Sequence, residues 1–136
     1  MKIVEQFCRF FCNLVGWQLP GKPVLLRIDD TDHHALWGIV IKGAICDVIS
    51  GIRTTGPGGS NWSDDPFAII HLDSPLNFNG ENIEWLMAVP RHKGYGLYRL
   101  CMTWIAVYIH VLERPTPPQE ISWSDINAVC SMKLIK

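Results

Sequence analysis

The chain has 136 residues, of which 48% are hydrophobic and 18% are charged. This balance is typical of a folded globular protein and excludes wholesale disorder. The formal net charge of −1 provides no overall attraction to nucleic acid or to an anionic membrane, so either ligand would need a local basic patch. The length fits a single domain, residues 1–136, with its own hydrophobic core.

The cysteines are odd in number and scattered along the chain: Cys8, Cys12, Cys46, Cys101 and Cys130. This distribution favours reduced thiols in a cytosolic setting over a disulfide framework. Cys8 and Cys12 are four residues apart, but no Cys or His pair elsewhere has zinc-finger spacing, so we predict no metal site and no cofactor. Glu5 and Arg9 interrupt the first apolar run, which argues against a signal peptide.

The first half of the chain predicts one helix and then strands. Residues 2–15 are predicted to form an amphipathic helix with an aromatic-rich apolar face. Between residues 24 and 89 the sequence predicts a meander of about four strands with a hairpin at Lys42-Gly43. The β-rich runs are residues 24–28, 35–41, 44–49, 67–72 and 83–89.

Residues 96–113 are predicted to form a buried central helix, because apolar residues recur at steps of three and four. These are Leu97, Leu100, Cys101, Trp104, Val107, Tyr108 and Val111. The apolar run is shorter than the roughly 18 residues of a bilayer crossing, and Arg99 interrupts it, so no transmembrane segment is predicted.

The chain closes with a tail, residues 119–136, in which Ser122 or Ser124 could cap a last short helix. The predicted fold class is therefore α+β, with a small antiparallel sheet packed on the buried central helix.

Two segments carry a family resemblance. The segment Pro20-Gly-Lys-Pro-Val-Leu-Leu-Arg27, followed by His33-His-Ala-Leu-Trp37, resembles the H-box of the permuted papain-like, NlpC-type proteins. Tyr95-x-Leu97-x-x-x-Cys101-x-x-Trp104 is similar to the NC box of the same superfamily. The lecithin–retinol acyltransferase family belongs to it, as do picornavirus 2A proteins of the H-box/NC type, of which the parechovirus-like group is the most similar. The resemblance implies a permuted papain-like architecture.

The resemblance also implies a site with Cys101 as nucleophile and His34, or His33, as base. Leu100 stands where the pattern has Asn, and a leucine cannot cap a helix in front of the thiol. The histidine position of the pattern falls on Leu36. We therefore favour a degenerate, non-catalytic site. The alternative is an active thiol acyltransferase or phospholipase-like enzyme that uses Cys101 and His34.

The function that the resemblance implies is that of a viral nonstructural protein that binds host or viral proteins, with viral RNA as a further candidate, in the cytoplasm or nucleus of the host cell. The basic cluster Arg91, His92, Lys93 and Arg99 is the predicted RNA or partner surface. Formation of a homodimer is left as an open alternative. A third reading takes Arg91-x-x-Gly94-x-Gly96 as the pyrophosphate loop of an acetyltransferase, but too little chain follows for that fold.

Overall fold

The structure, a computed structural model, describes residues 19–32, 34–55, 66–91 and 96–135. In chain order the strands are β1 (Pro23–Thr31), β2 (Val40–Ile49), β3 (Arg53–Thr55), β4 (Phe67–Phe78), β5 (Glu81–Pro90), β6 (Ile105–Leu112), β7 (Glu120–Ser122) and β8 (Ala128–Leu134). Within the described ranges, three short 3-10 helices lie between these strands, at His34–Leu36, Gly96–Cys101 and Trp123–Asp125.

Six of these strands form a closed antiparallel barrel in the order β1-β2-β4-β5-β6-β8. Each barrel strand pairs with the next one along the chain, and β8 closes the barrel by pairing with β1, with Leu26 opposite Met132. Closure leaves no barrel strand with an unpaired edge.

The alternation of side chains explains why these segments form barrel strands. In β1, Val24, Leu26 and Ile28 are buried, whereas Arg27 and Asp29 between and beyond them are exposed. The same period of two recurs in β8, where the buried residues are Ala128, Cys130 and Met132. Successive side chains of a strand point to opposite faces, so one set fills the barrel and the other covers its outer surface.

The barrel interior is the main hydrophobic core, and one of its ends is closed by residues outside the strands. Leu19 precedes β1, and Leu97 and Leu100 belong to the 3-10 helix Gly96–Cys101; all three are buried in this core. We call this end, where β1 begins and β6 begins, the Leu97 end. The other end, where β1 and β6 finish, is the Leu36 end, because the half-buried Leu36 packs against the core there.

A second core lies outside the barrel. The parallel two-stranded sheet of β3 and β7 covers the outer surface of β4 and β5, which we call the covered wall. Ile52, just before β3, and Ile121 of β7 pack there against residues of the covered wall. The wall residues in this core are Phe67, Ile69, Met87 and Val89.

Two glycines have backbone roles that other residues could not fill. Asn79 and Gly80 both have positive φ, 55° and 82°, as a two-residue type I′ hairpin between β4 and β5 requires. Gly43 lies where β2 meets β4, and a Cβ there would come within 2.6 Å of the His71 carbonyl oxygen. Gly43 therefore permits this close strand approach.

The predicted α+β class with a buried central helix is wrong: the fold is a closed six-stranded antiparallel β-barrel. Within residues 96–113, only Gly96–Cys101 is helical, as a 3-10 helix, and Ile105–Leu112 is strand β6. Ile105, Val107 and Ile109 alternate into the core. They are β-branched, which favours a strand over a helix. The permuted papain-like architecture, which was predicted around this helix, is therefore also wrong.

Other predicted elements are also corrected. The tail 119–136 contains β7 and β8 instead of a helix, and the hairpin predicted at Lys42-Gly43 lies within the continuous strand β2. The predicted strands 24–28, 44–49, 67–72 and 83–89 lie inside β1, β2, β4 and β5. The helix predicted for residues 2–15 lies outside the described residues. Among the described helices, none combines the length and the apolar character that a bilayer crossing requires.

Candidate functional site

The predicted nucleophile and base lie at opposite ends of the barrel. Cys101 ends the 3-10 helix just before β6, at the Leu97 end. Ile105 is level with Leu26 of β1, since both pair with Met132. Thr31, the last residue of β1 before His34, lies five residues further along that strand, or roughly 16 Å at 3.3 Å per residue. The topology therefore does not bring Cys101 and His34 together.

The imidazole of His34 has a different neighbour. It stacks on the indole of Trp37, with ring centroids 4.5 Å apart and planes 14° from parallel. The Trp37 indole N–H donates a hydrogen bond of 2.7 Å to the carbonyl oxygen of Thr31, which fixes the ring at the Leu36 end. His33, the second candidate base, lies outside the described residues, as do His92 and Lys93.

Cys130 is a buried thiol inside the barrel. Burial, followed by the negative charge of Asp29, raises the pKa of Cys130 to about 12. A thiol that stays protonated at neutral pH is a weak nucleophile and a poor metal ligand. Among the described residues, no group of three or more His, Cys, Asp or Glu side chains has the arrangement of a metal site.

The cavity that described residues enclose within the barrel is too small to hold an organic ligand. A cavity of about 10 Å³ lies near the Leu36 end, which is room for about one water molecule. It is lined by apolar side chains that include Ile28, Phe78, Ile83 and Val111. The interior of this barrel is therefore a core.

A shallow recess of about 410 Å³ follows β6 and is lined by His110–Arg114 and Thr116–Pro118. The His110 ring Nδ1 lies 2.9 Å from the Asp125 carbonyl oxygen, which holds the ring against the end of the 3-10 helix Trp123–Asp125. The recess is wide open and brings no cluster of reactive groups together.

The outer surface of β2, β1, β8 and the start of β6 has a more distinctive composition, and we call it the basic wall. Lys42, Leu25 and Lys133 are partners in register, so they form one row across three strands. The next row contains Val40, Arg27, Ser131 and Ala106. Arg91 extends that row, because its backbone N–H donates to the Ala106 carbonyl oxygen at 2.9 Å. The wall thus alternates cations with apolar side chains.

Trp104 lies at the edge of the basic wall, directly before β6, and its side chain is 38% exposed. The Lys133 ammonium lies 4.8 Å from the ring centroid, and the Arg27 guanidinium carbon lies 5.5 Å from it. Both distances are within the range of cation–π attraction. An exposed indole flanked by two cations results.

Arg27 is held in place by neighbours on β1 and β8. Its Nε donates to the Asp29 carboxylate at 2.9 Å and its guanidinium donates to the Ser131 hydroxyl at 3.2 Å. The Ser131 hydroxyl in turn donates to Asp29 at 2.5 Å. The bonds to Asp29 and Ser131 hold the guanidinium near Trp104. The negative charge of Asp29 also offsets one positive charge and so lowers the positive potential at this point.

The low net charge conceals an uneven distribution of charge, to which Asp29 on the basic wall, Asp47 toward the Leu97 end and Arg114 after β6 are exceptions. Six basic residues lie on the basic wall or near the Leu97 end: Lys22, Arg27, Lys42, Arg91, Arg99 and Lys133. Acidic residues gather toward the Leu36 end: Asp30, Asp32, Glu81, Glu84, Glu113 and Asp125. Two of the four predicted cations, Arg91 and Arg99, are exposed members of the basic set.

Sequence reasoning missed Trp104, Arg27, Lys42 and Lys133 as members of one surface. They come from three strands and a loop that are brought together by pairing between β1 and β8, more than a hundred residues apart in the chain. The local signal was the alternation in β1, which places Arg27 on the face opposite the core.

Comparison of the chain with family models, curated proteins and solved structures found no match. The resemblance to H-box/NC proteins therefore stays a prediction, and the fold that it implied is not the fold observed.

Proposed function

We propose that this chain is a nucleic-acid-binding protein whose basic wall contacts the ligand, and that it acts through binding rather than catalysis. The observation that carries the proposal is the exposed Trp104 ring with Lys133 and Arg27 beside it. Phosphates are neutralised by Lys and Arg, and bases stack on aromatic rings. A ligand that offers both groups fits this surface.

The gathering of basic residues on the basic wall and near the Leu97 end also supports nucleic acid as the ligand. A chain of net charge −1 has no general affinity for polyanions, so a bound polyanion would be directed to the surface where the cations gather. The Leu36 end, where Arg114 is accompanied by several acidic residues, would attract it less. Non-catalytic action is supported by the separation of Cys101 from His34, the residues that the alternative acyltransferase would need at one site.

The test is the binding of fluorescein-labelled oligonucleotides, measured by anisotropy at several salt concentrations. Affinity should fall as salt rises, because binding releases counterions from the phosphates. Lys133→Glu should weaken binding about tenfold and lower the salt slope by about 1 or more. Arg114→Glu, an exposed arginine beyond β6 outside the basic wall, is the matched control and should change the affinity less than twofold.

Affinity that ignores both salt and the Lys133→Glu change would contradict the proposal, as would equal losses in the two variants. Vesicles containing anionic lipid serve as a second ligand. Binding to the vesicles without binding to any oligonucleotide would assign the basic wall to a membrane surface. The place of the protein in viral replication in the host cell remains a prediction from the resemblance alone.

A further inference from the structure

The basic wall runs across the strands. From Lys42 on β2 the cations and Trp104 continue through β1, β8 and β6 to Arg91 at the end of β5. Four steps between neighbouring strands, each about 4.8 Å, give an arc of roughly 19 Å, which covers four of the six steps around the closed barrel. A chain-like ligand that follows this arc around the barrel would meet a cation at each end and the indole between them.

The indole distinguishes paired from unpaired nucleic acid. A base inside a duplex has both faces covered by its neighbours, whereas an unpaired base can lay one face on an exposed ring. Trp104 is 38% exposed, so part of its ring can be reached by a base, with Lys133 and Arg27 over the same ring in position to contact the adjoining phosphates. The site offers its aromatic surface only to an unstacked base.

The shape of the surface also disfavours a duplex. The basic wall is the outside of a barrel and is convex, whereas reading a duplex groove requires a projecting helix or a two-stranded ribbon. In the described part of the chain no helix exceeds the six residues of Gly96–Cys101, and that helix packs its Leu97 and Leu100 into the core.

Single apolar side chains lie next to the cations of the basic wall. Leu25 lies between Lys42 and Lys133 in one row, and Val40 lies beside Arg27 in the next. The Val40 side chain is 50% exposed, which is unusual for a valine within a strand. Sugar and base surfaces could contact these positions while phosphates contact the flanking cations.

We propose that the basic wall binds a short segment of single-stranded nucleic acid, which crosses the strands from Lys42 to Arg91 and stacks one unpaired base on Trp104. This inference rests on the proposed function and narrows its ligand to unpaired strands. The arc of roughly 19 Å corresponds to a segment near the lower limit of the roughly 4–16 nucleotides that single-strand-binding barrel domains occupy.

The test compares oligothymidylates and oligouridylates of 2, 4, 8 and 12 nucleotides with a 12-base-pair duplex at equal salt. The single strands should bind at least tenfold more tightly than the duplex, and their affinity should rise steeply with length and then level off within this series. Trp104→Ala should raise the Kd for the single strands roughly tenfold or more, and Trp104→Phe should recover most of the affinity because the ring remains.

Trp37→Ala is the matched control, since Trp37 lies at the Leu36 end, outside the basic wall, and is exposed even more than Trp104, 49% against 38%. It should leave the Kd within twofold of the unchanged protein. Circular dichroism of each variant confirms that the barrel is intact, and Trp104→Phe supplies the comparison if the alanine variant is unfolded.

The outcomes separate the two proposals. Equal affinity for duplex and single strands, or no loss in Trp104→Ala while Lys133→Glu still weakens binding, would overturn the single-strand inference and leave nucleic-acid binding standing. Absence of binding to every oligonucleotide at low salt would overturn both. A preference for unpaired strands that depends on Trp104 and not on Trp37 supports both.

Discussion

The two walls of the barrel are built from the same alternating strands but differ in what lies against their outer side chains. On the covered wall the outward residues, such as Phe67 and Ile69, are apolar and fully buried beneath β3 and β7. On the basic wall the outward residues include Arg27, Lys42 and Lys133, and no described element packs over them. The covered wall contributes to stability, whereas the basic wall is available for a ligand.

The largest expected effect tests the covered wall. Phe67→Ala removes a fully buried ring between β4 and the β3–β7 sheet. It should reduce the free energy of unfolding by about 3–5 kcal/mol, because burial is lost and a cavity remains. Urea unfolding followed by circular dichroism measures the loss. A reduction below about 1 kcal/mol would mean that β3 and β7 do not pack on this wall as described.

A second effect concerns the inner surface of the basic wall, where Cys130 is buried on β8. Its pKa is raised from 9.0 to about 12 in the folded protein. Below pH 9 the thiol is protonated in both the folded and the unfolded state, and its contribution to stability is constant. Between pH 9 and 12 only the unfolded state loses this proton, so stability should fall by about 1.4 kcal/mol per pH unit.

Cys130→Ala provides the reference for this titration. The variant should be less stable at pH 8 because a core side chain is shortened, but its stability should decline less steeply above pH 9. Unfolding free energies at pH 8, 9 and 10 give the two slopes. Parallel slopes would show that Cys130 does not remain a neutral thiol within the core.

Gly43→Ala tests the boundary between the two walls, where β2 pairs with β4. On its other side β2 pairs with β1. The new methyl group would lie within 2.6 Å of the His71 carbonyl oxygen and 2.9 Å of the Ile70 side chain. Moving the strands apart should cost about 1–3 kcal/mol. Lys42→Ala, one residue earlier and facing solvent, is the control and should change stability by less than about 0.5 kcal/mol.

The smallest expected effect is on the basic wall itself. Val40→Ser replaces an exposed apolar side chain that sits opposite Arg27. The melting temperature should change by no more than the equivalent of about 0.5 kcal/mol, because little buried surface is lost. A loss approaching that of Phe67→Ala would mean that the basic wall is covered in solution and is not a free surface.

Much of the strand meander could be predicted from the sequence, because Val24–Ile28, Phe67–Leu72 and the residues before Pro90 are rich in β-branched and aliphatic side chains bounded by turn residues. The segment around residues 96–113 could not be assigned by period alone. Nearly every position there is apolar, so a helical and a strand period fit equally well. The β-branched residues Ile105, Val107, Ile109 and Val111, at steps of two, were the better guide.

The candidate site was predictable only in part. Arg91 and Arg99 were recognised as exposed cations because they stand close together in the sequence. Lys133 and Arg27 were not recognised as neighbours of Trp104, since strand pairing across the barrel closure is a long-range contact that no local pattern encodes. The thiol and imidazole were placed together by analogy to a family pattern, and the topology separates them.

Barrel closure has a consequence for synthesis of the chain on the ribosome. Five of the six ladders join barrel strands that follow one another, so they can form as the chain emerges. The sixth ladder, between β1 and β8, can form only after β8 has been translated, and β8 follows all the other barrel strands in the chain. During that interval β1 and β6 both present unpaired edges, which are open to pairing with other nascent chains. Mutations that slow or weaken this final ladder should therefore lower the yield of folded protein in cells before they lower the stability of the purified molecule.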